Sequence, residues 1–144
     1  MSAMEPLYRL TGIPLSQLTE KQGLFLDAVI FTHICKELRE IFRKQHIEYF
    51  RLMKFTPEKE NHMLESEFIR LIIKDILKTG DYTLEGIAYY TDTHEDVIRE
   101  LAAGLNTKPT ALFFRKTIEL HRTVRRELYS TIARKIASEY SDVA

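Results

Sequence analysis

The stretch TLEGIAYYTDTHEDVIRELAAG, residues 83–104, decides how this chain is read. Thr83 is a helix-capping residue, and Leu84, Ile87 and Ala88 follow at the spacing of one helix face. Thr91-Asp92-Thr93 then breaks the pattern with residues that favour turns. Thr93, with Asp96 three residues on, reads as a variant capping box that opens a second helix. Val97, Ile98 and Leu101 are expected to face the core. Gly104 ends the element, because glycine takes up the left-handed backbone that closes helices. The expectation is a short helix, a tight turn and a second short helix whose first turn, His94-Glu95-Asp96, is acidic.

Upstream of this stretch, Thr56-Pro57-Glu58 is a strong start signal: a capping threonine, proline at the first helical position, then acid in the first turn. Leu64, Phe68, Leu71, Ile72, Ile76 and Leu77 carry that helix to a stop at Gly80. Farther back, Pro6, Gly12 and Pro14 predict an irregular lead-in over residues 1–18. Thr19 with Gln22 is a capping box. Phe25, Ala28, Val29, Thr32, Cys35 (or Ile34), Leu38, Ile41 and Phe42 recur at helical spacing, which predicts a helix from about Glu20 to about Lys44 or onward to Lys54, with a bend open near Gln45-His46. Downstream, the loop LNTKP leads to Thr110, which caps a final helical region from Ala111 to about Tyr140. Leu112, Phe113, Lys116 and Leu120 begin it, and Val124, Leu128, Ile132 and Ile136 form a stripe at spacing four. One long helix, or two with a break near His121, both fit. No segment alternates with period two, so no sheet is expected. The fold class is all-α, a bundle of five to seven helices in a single domain over residues 1–144. Residues 1–55 form an N-terminal helical arm, 56–121 the helix-turn-helix core and 122–144 a C-terminal helix.

Composition bounds the function. The chain has 144 residues, 44% hydrophobic and 29% charged, as in a globular protein with a real core. No apolar run approaches the ~18 residues of a membrane span. The opening MSAMEPLYRL lacks the pattern of a signal peptide, and Cys35 is the one cysteine, so a reducing interior and a cytoplasmic address are expected. Net charge is zero, unlike a strongly basic nucleic-acid binder. Charge is nevertheless segregated. Between Asp81 and Thr110, Asp81, Glu85, Asp92, Glu95, Asp96 and Glu100 outnumber Arg99 and Lys108; beyond Ala111, Arg115, Lys116, Arg122, Arg125, Arg126, Arg134 and Lys135 outnumber the acids.

Residues about 65 to 121 resemble the phage repressor and Cro-like helix-turn-helix family. The helix EFIRLIIKDILKTGDY runs into TLEGIAYY; Ala88 sits where two helices would cross closely; Ile87, Ile98 and Leu101 fall at the locking apolar positions; Gly104, Pro109-Thr110 and LFFRKTIELH resemble the family's loop and fourth helix. Asp92 stands where the family usually has glycine, and aspartate tolerates left-handed backbone better than most residues. Thr93 replaces the usual valine or isoleucine. The resemblance implies a bacterial or phage-type transcriptional regulator that binds duplex DNA, commonly as a dimer with half-sites one helical turn apart.

On that reading His94, Glu95, Asp96, Arg99 and Glu100 project toward the major groove. Arg99 would pair with guanine edges and Glu would accept from cytosine. Asn106, Thr107 and Lys108 in the loop, with Thr83, Tyr89 and Tyr90, are the candidate phosphate anchors. Each carboxylate facing phosphate adds a repulsion of ~1 kcal/mol, reduced by salt. Acids in a first turn also complement the helix dipole, worth ~0.3–1 kcal/mol each, so Glu95 and Asp96 are equally explained as caps. The alternative function is a non-catalytic interaction module that keeps this fold and docks a basic protein through the acidic helix. A positive face around Arg99 and Lys108 favours DNA, and a negative one favours a protein partner. The segment from Thr19 to Phe55, rich in Phe25, Phe31, Phe42, Tyr49, Phe50 and Phe55 and apolar on several faces at Leu24-Phe25-Leu26, is expected either to pack on the small domain or to build a homodimer interface. His33, His46, His62, His94 and His121 have no close metal-ligand spacing, and no phosphate loop or nucleophile elbow is present, so neither a cofactor nor catalysis is expected.

Overall fold

The computed structural model describes residues 19–106 and 108–143, apart from the side chains of 23–26 and 140–143. The described residues form seven helices and no strand: α1 (Glu20–Gln45), α2 (Ile47–Leu52), α3 (Pro57–Lys78), α4 (Leu84–Thr91), α5 (Glu95–Ala102), α6 (Ala111–Val124) and α7 (Arg126–Val143). The all-α expectation holds. The lead-in around Pro6, Gly12 and Pro14, the side chains of Leu24, Phe25 and Leu26, and Thr107 lie outside the described residues.

Capping accounts for most of the helix starts. Thr19 and Gln22 close a reciprocal box, with the Gln22 amide donating to Thr19 Oγ1 (3.2 Å) and the Thr19 amide to Gln22 Oε1 (3.0 Å). Thr56, Thr83 and Thr110 accept from the amides of Lys59, Gly86 and Phe113 at 3.3, 3.1 and 3.1 Å. The break after α1 falls at His46, whose ring Nδ1 lies 2.8 Å from the Phe42 carbonyl and competes there with its own backbone amide. Past α6 the break lies at Arg125, four residues beyond the expected position. His121 stays inside the helix because its side chain is consumed by the core.

Left-handed residues close three helices in the same way. After α2, Lys54 (φ 55°) lets the Phe55 amide reach the Phe50 carbonyl (3.1 Å) and the Lys54 amide reach that of Arg51 (3.2 Å). The rings of Phe50 and Phe55 stack at 5.8 Å, supplying the apolar contact that goes with such a termination. Gly104 (φ 77°) closes α5 with the same pair of bonds, Leu105 to Glu100 and Gly104 to Leu101. Asp92 closes α4 and is described with the site below.

Of the described residues, those within 39–124 form one compact unit, and 19–38 with 125–143 belong to a second. In the first unit, α3 packs on α5 and α6, and α4 packs on the same two helices. Its buried core is Phe42, Phe50, Leu64, Phe68, Ile69, Ile72, Ile73, Ile76, Ile87, Ile98, Leu101, Phe113, Ile118 and Leu120. Phe68 meets Phe42 edge-on (6.0 Å) and stacks on Phe114 (5.6 Å). In the second unit, Ile30, Ile34 and Leu38 are buried, as are Tyr129, Ile132, Ala133 and Ile136, and Lys135 Nζ pairs with Glu37 Oε2 at 2.7 Å. The buried stripe of α1 is therefore Ile30-Ile34-Leu38-Phe42, not the one through Ala28 and Thr32, which face solvent. Burying isoleucine removes more apolar surface from water than burying alanine or threonine. Cys35 is half-buried rather than enclosed.

One polar couple is built into the first unit's core. The His121 side chain has no exposed surface, and its Nε2 lies 2.7 Å from Oδ2 of Asp75, joining α6 to α3. A buried imidazole without a partner pays its full desolvation cost. Asp75→Ala is expected to lower the unfolding free energy by about 1–3 kcal/mol in urea titrations. Adding His121→Leu to that variant should cost less than the two single changes summed. Additive losses would show that the pair contributes nothing as a pair.

Candidate nucleic-acid interface

Residues 83–104 adopt the helix, turn and helix their pattern predicts. Asp92 sits in the left-handed region at φ 51°, ψ 48°. The Thr93 amide donates to the Ala88 carbonyl (3.0 Å), and the Asp92 amide reaches that of Tyr89 (3.3 Å). These bonds satisfy the last carbonyls of α4 and turn the chain within two residues. Thr91 is the last residue of α4 and is buried, its hydroxyl donating to the Ile87 carbonyl at 2.8 Å. Ile87, Ile98 and Leu101 are fully buried and Ala88 nearly so, where α4 and α5 pack together. Val97 is only half-buried.

The start of α5 differs from expectation. Its cap is His94, not Thr93: His94 is extended (φ −63°, ψ 139°), and its Nδ1 accepts from the Asp96 amide at 3.2 Å. The Thr93 hydroxyl instead donates to the Thr91 carbonyl at 3.1 Å. A tight turn uses up Thr93 in this local bond, so the next residue becomes the first whose side chain can reach the open amides of α5.

The outward face of α5 carries Glu95, Asp96, Arg99 and Glu100. Arg99 Nη2 meets Glu95 Oε1 at 2.7 Å, one turn apart, with Arg99 well exposed. Asp96 and Glu100 are exposed, as are Glu85 on α4 and Asp92 in the turn. Tyr89 is 91% exposed, and with Asp92, Thr93 and His94 it lines a shallow concavity at the turn. In the loop after α5, Asn106 Oδ1 accepts from the Lys108 amide at 3.0 Å, which spends that oxygen on the loop's own shape. The Lys108 side chain is exposed. Thus Tyr89, His94, Glu95, Arg99 and Glu100 share the helix-turn-helix, while Asn106 and Lys108 follow it in the loop. The charge balance of the outward face is negative: the arginine is matched by Glu95, Asp96 has only the His94 ring beside it (Nδ1 to Oδ2, 3.6 Å), and Glu100 adds a further carboxylate.

Tyr90 was not distinguished from Tyr89 by the sequence, yet it faces the other way. Its ring meets Tyr82 edge-on (6.5 Å), and its hydroxyl shares a hydrogen bond with Thr123 on α6. Burial, then the Glu119 carboxylate and then Tyr82, push its hydroxyl above the ordinary value of 10.0, against that hydrogen bond. Among the described residues no group of three or more His, Cys, Asp or Glu is placed to hold a metal ion, and no helix is long and apolar enough to cross a membrane.

Two measurements check this geometry. Asp92→Gly is expected to raise stability by up to about 1 kcal/mol, and Asp92→Val to lower it by about 1–2 kcal/mol, since a branched side chain resists the left-handed region. Equal melting temperatures for parent and both variants would contradict the turn. For Tyr90 the raised folded value means the neutral hydroxyl's contribution is complete below about pH 10 and lost as pH rises through the folded value. Between about pH 9 and about pH 11 the parent should lose more stability than Tyr90→Phe. Comparison of the chain with protein-family models, with curated proteins and with solved structures returns no match, which leaves geometry and charge as the grounds for a functional reading.

Proposed function

We propose that the chain is a sequence-specific DNA-binding transcriptional regulator of the repressor and Cro-like helix-turn-helix type. The observation that carries this reading is the free outward face of α5, held at a fixed corner to α4 by Asp92 and Ala88. A helix presented in this way fits the major groove, with α4 lying across the backbone. Tyr89 is positioned on α4 to give its hydroxyl to phosphate, and Lys108 approaches from the loop before α6. Arg99 reads a guanine edge by exchanging Glu95 for the base, and Glu95 or Glu100 accepts from the amino group of cytosine. Unmatched carboxylates weaken binding to every sequence through phosphate repulsion. They therefore favour a protein whose affinity depends on the right bases rather than on charge.

The negative balance of that same face favours a second reading, a non-catalytic module that docks a basic protein on Asp96 and Glu100. The two readings separate on one pair of variants. Asp96→Asn with Glu100→Gln strengthens retention of DNA fragments if the first is right, and weakens capture of a basic partner if the second is.

The direct test is retention of pooled genomic fragments at two salt concentrations. Arg99→Ala is expected to cost about 1–3 kcal/mol on the preferred sequence and to relax base preference there. Lys108→Ala should weaken all sequences alike and reduce the salt slope by about 1. Retention that ignores salt, or that neither variant alters, removes the DNA reading.

A further inference from the structure

Eight large hydrophobic side chains stand exposed among the described residues, and four of them, Ile47, Tyr49, Leu52 and Met53, lie on α2 and its cap. Tyr49, Leu52 and Met53 are three and four residues apart, so they share one face of that helix. Leu52 is 81% exposed and Met53 54%. Neither of the two lines the groove beside α3 that Tyr49 and Phe55 border. Both project from the surface instead of facing a hollow. The projection is firmly held: Phe50 is buried, Phe55 stacks on it at 5.8 Å, and Tyr49 meets Phe55 edge-on at 5.9 Å. Cations flank it. From 44 to 59 the exposed charged residues are Lys44, Arg51, Lys54 and Lys59, against Glu48 and Glu58. Arg51 meets Glu48 at 3.0 Å, which leaves three lysines to one carboxylate. Lys54 holds a left-handed position (φ 55°) where glycine would be unstrained, so the chain keeps a cation directly after Leu52 and Met53 at a conformational cost.

We propose that this face docks the chain on an anionic lipid surface. Leu52 and Met53 insert at the headgroup boundary, Tyr49 sits at that boundary, and Lys44, Lys54 and Lys59 meet the lipid phosphates. The apolar side chains leave water on docking, and each basic residue adds attraction to the negative headgroups. A tyrosine ring has an apolar body and a polar tip, which suits the boundary. A lipid layer takes in a convex projection without a matching hollow, whereas a folded protein partner must supply one. With six residues, α2 lies in the surface and does not cross it. The inference uses no residue of the α5 face and is independent of whether that face reads DNA.

Sedimentation of the full chain with vesicles tests it, using phosphatidylcholine alone and an equimolar mixture of phosphatidylcholine and phosphatidylglycerol. The parent is expected to sediment with the mixed vesicles, less so as salt rises, and to stay in solution with the neutral ones. Leu52→Glu with Met53→Glu should stay in solution with both and keep the helical circular-dichroism spectrum. Both side chains are largely in water, so the pair of changes leaves the core intact. Lys44→Gln with Lys54→Gln is expected to weaken binding to the mixed vesicles about tenfold. The chain has no tryptophan, so Leu52→Trp gives a single reporter at the point of insertion. Its emission should move to shorter wavelength on the mixed vesicles only. A parent that stays in solution with both vesicles overturns the proposal and leaves the face to a protein partner. Binding that ignores the α2 changes, or that leaves the tryptophan emission unmoved, overturns it as well, because another face would then carry the contact. Equal binding to neutral vesicles overturns the role given to the lysines.

Discussion

The corner between α4 and α5 is made by one residue in a left-handed conformation, and the exposed outward face of α5 depends on it. Asp92 at φ 51° turns the chain so that the Thr93 amide returns to Ala88, and this return brings α5 against α4. Ala88, nearly buried, lies on α4, which packs against α5. Ile87, Ile98 and Leu101 then become fully buried together, and the remaining faces of α5 are left to solvent. Aspartate is a costlier choice than glycine at such a corner, because its Cβ crowds the carbonyl. In return it adds one more carboxylate to a surface already rich in them.

That surface holds a conflict between shape and charge. Its shape is that of an exposed helix face, which the proposed function would insert into a nucleic-acid groove, while its carboxylates would repel the phosphates that wall such a groove. The Arg99–Glu95 pair sits at the centre of the conflict, since the cation best suited to a base edge is occupied within its own helix. Exposed pairs of this kind are worth little, so a stronger acceptor can displace the glutamate. His94 adds a constraint of its own. As the cap of α5 its ring nitrogen is turned inward to the Asp96 amide, which limits what the ring can offer outward.

Behind the outward face of α5 the first unit is held by two different means. Apolar packing of Ile72, Ile73 and Ile76 against the neighbouring helices supplies the bulk, and it is indifferent to direction. The His121–Asp75 bond, by contrast, has one geometry, and it sets the register of α6 against α3. It also explains why the chain does not break at His121: the helix must continue past a side chain that is locked to its neighbour. The termination of α2 at Lys54 follows the same rule as the Asp92 corner. At both, two returning hydrogen bonds compensate the left-handed backbone of a non-glycine residue, and at Lys54 the stacked Phe50–Phe55 pair adds to them.

Local chemistry by itself determined the helical class, the starts at Thr19, Thr56, Thr83 and Thr110, the stops at Gly80 and Gly104, and the existence of a turn at Asp92. Each of these rests on a side chain and an amide within four residues of one another, so the order of residues is enough. What lay beyond reach needed either the realised geometry of the turn or neighbours distant in the chain. The cap passed from Thr93 to His94 because the turn's own bond absorbed the threonine. The buried stripe of α1 ran through Ile30 and Ile34, and Tyr129 joined the second unit's core, because burial selects the face that removes most apolar area, which spacing alone leaves open. Tyr89 and Tyr90 are adjacent and identical in sequence. Only the tertiary structure turned one to solvent and the other to Tyr82 and Thr123, because the angle between α4 and α6 decides which ring finds a partner.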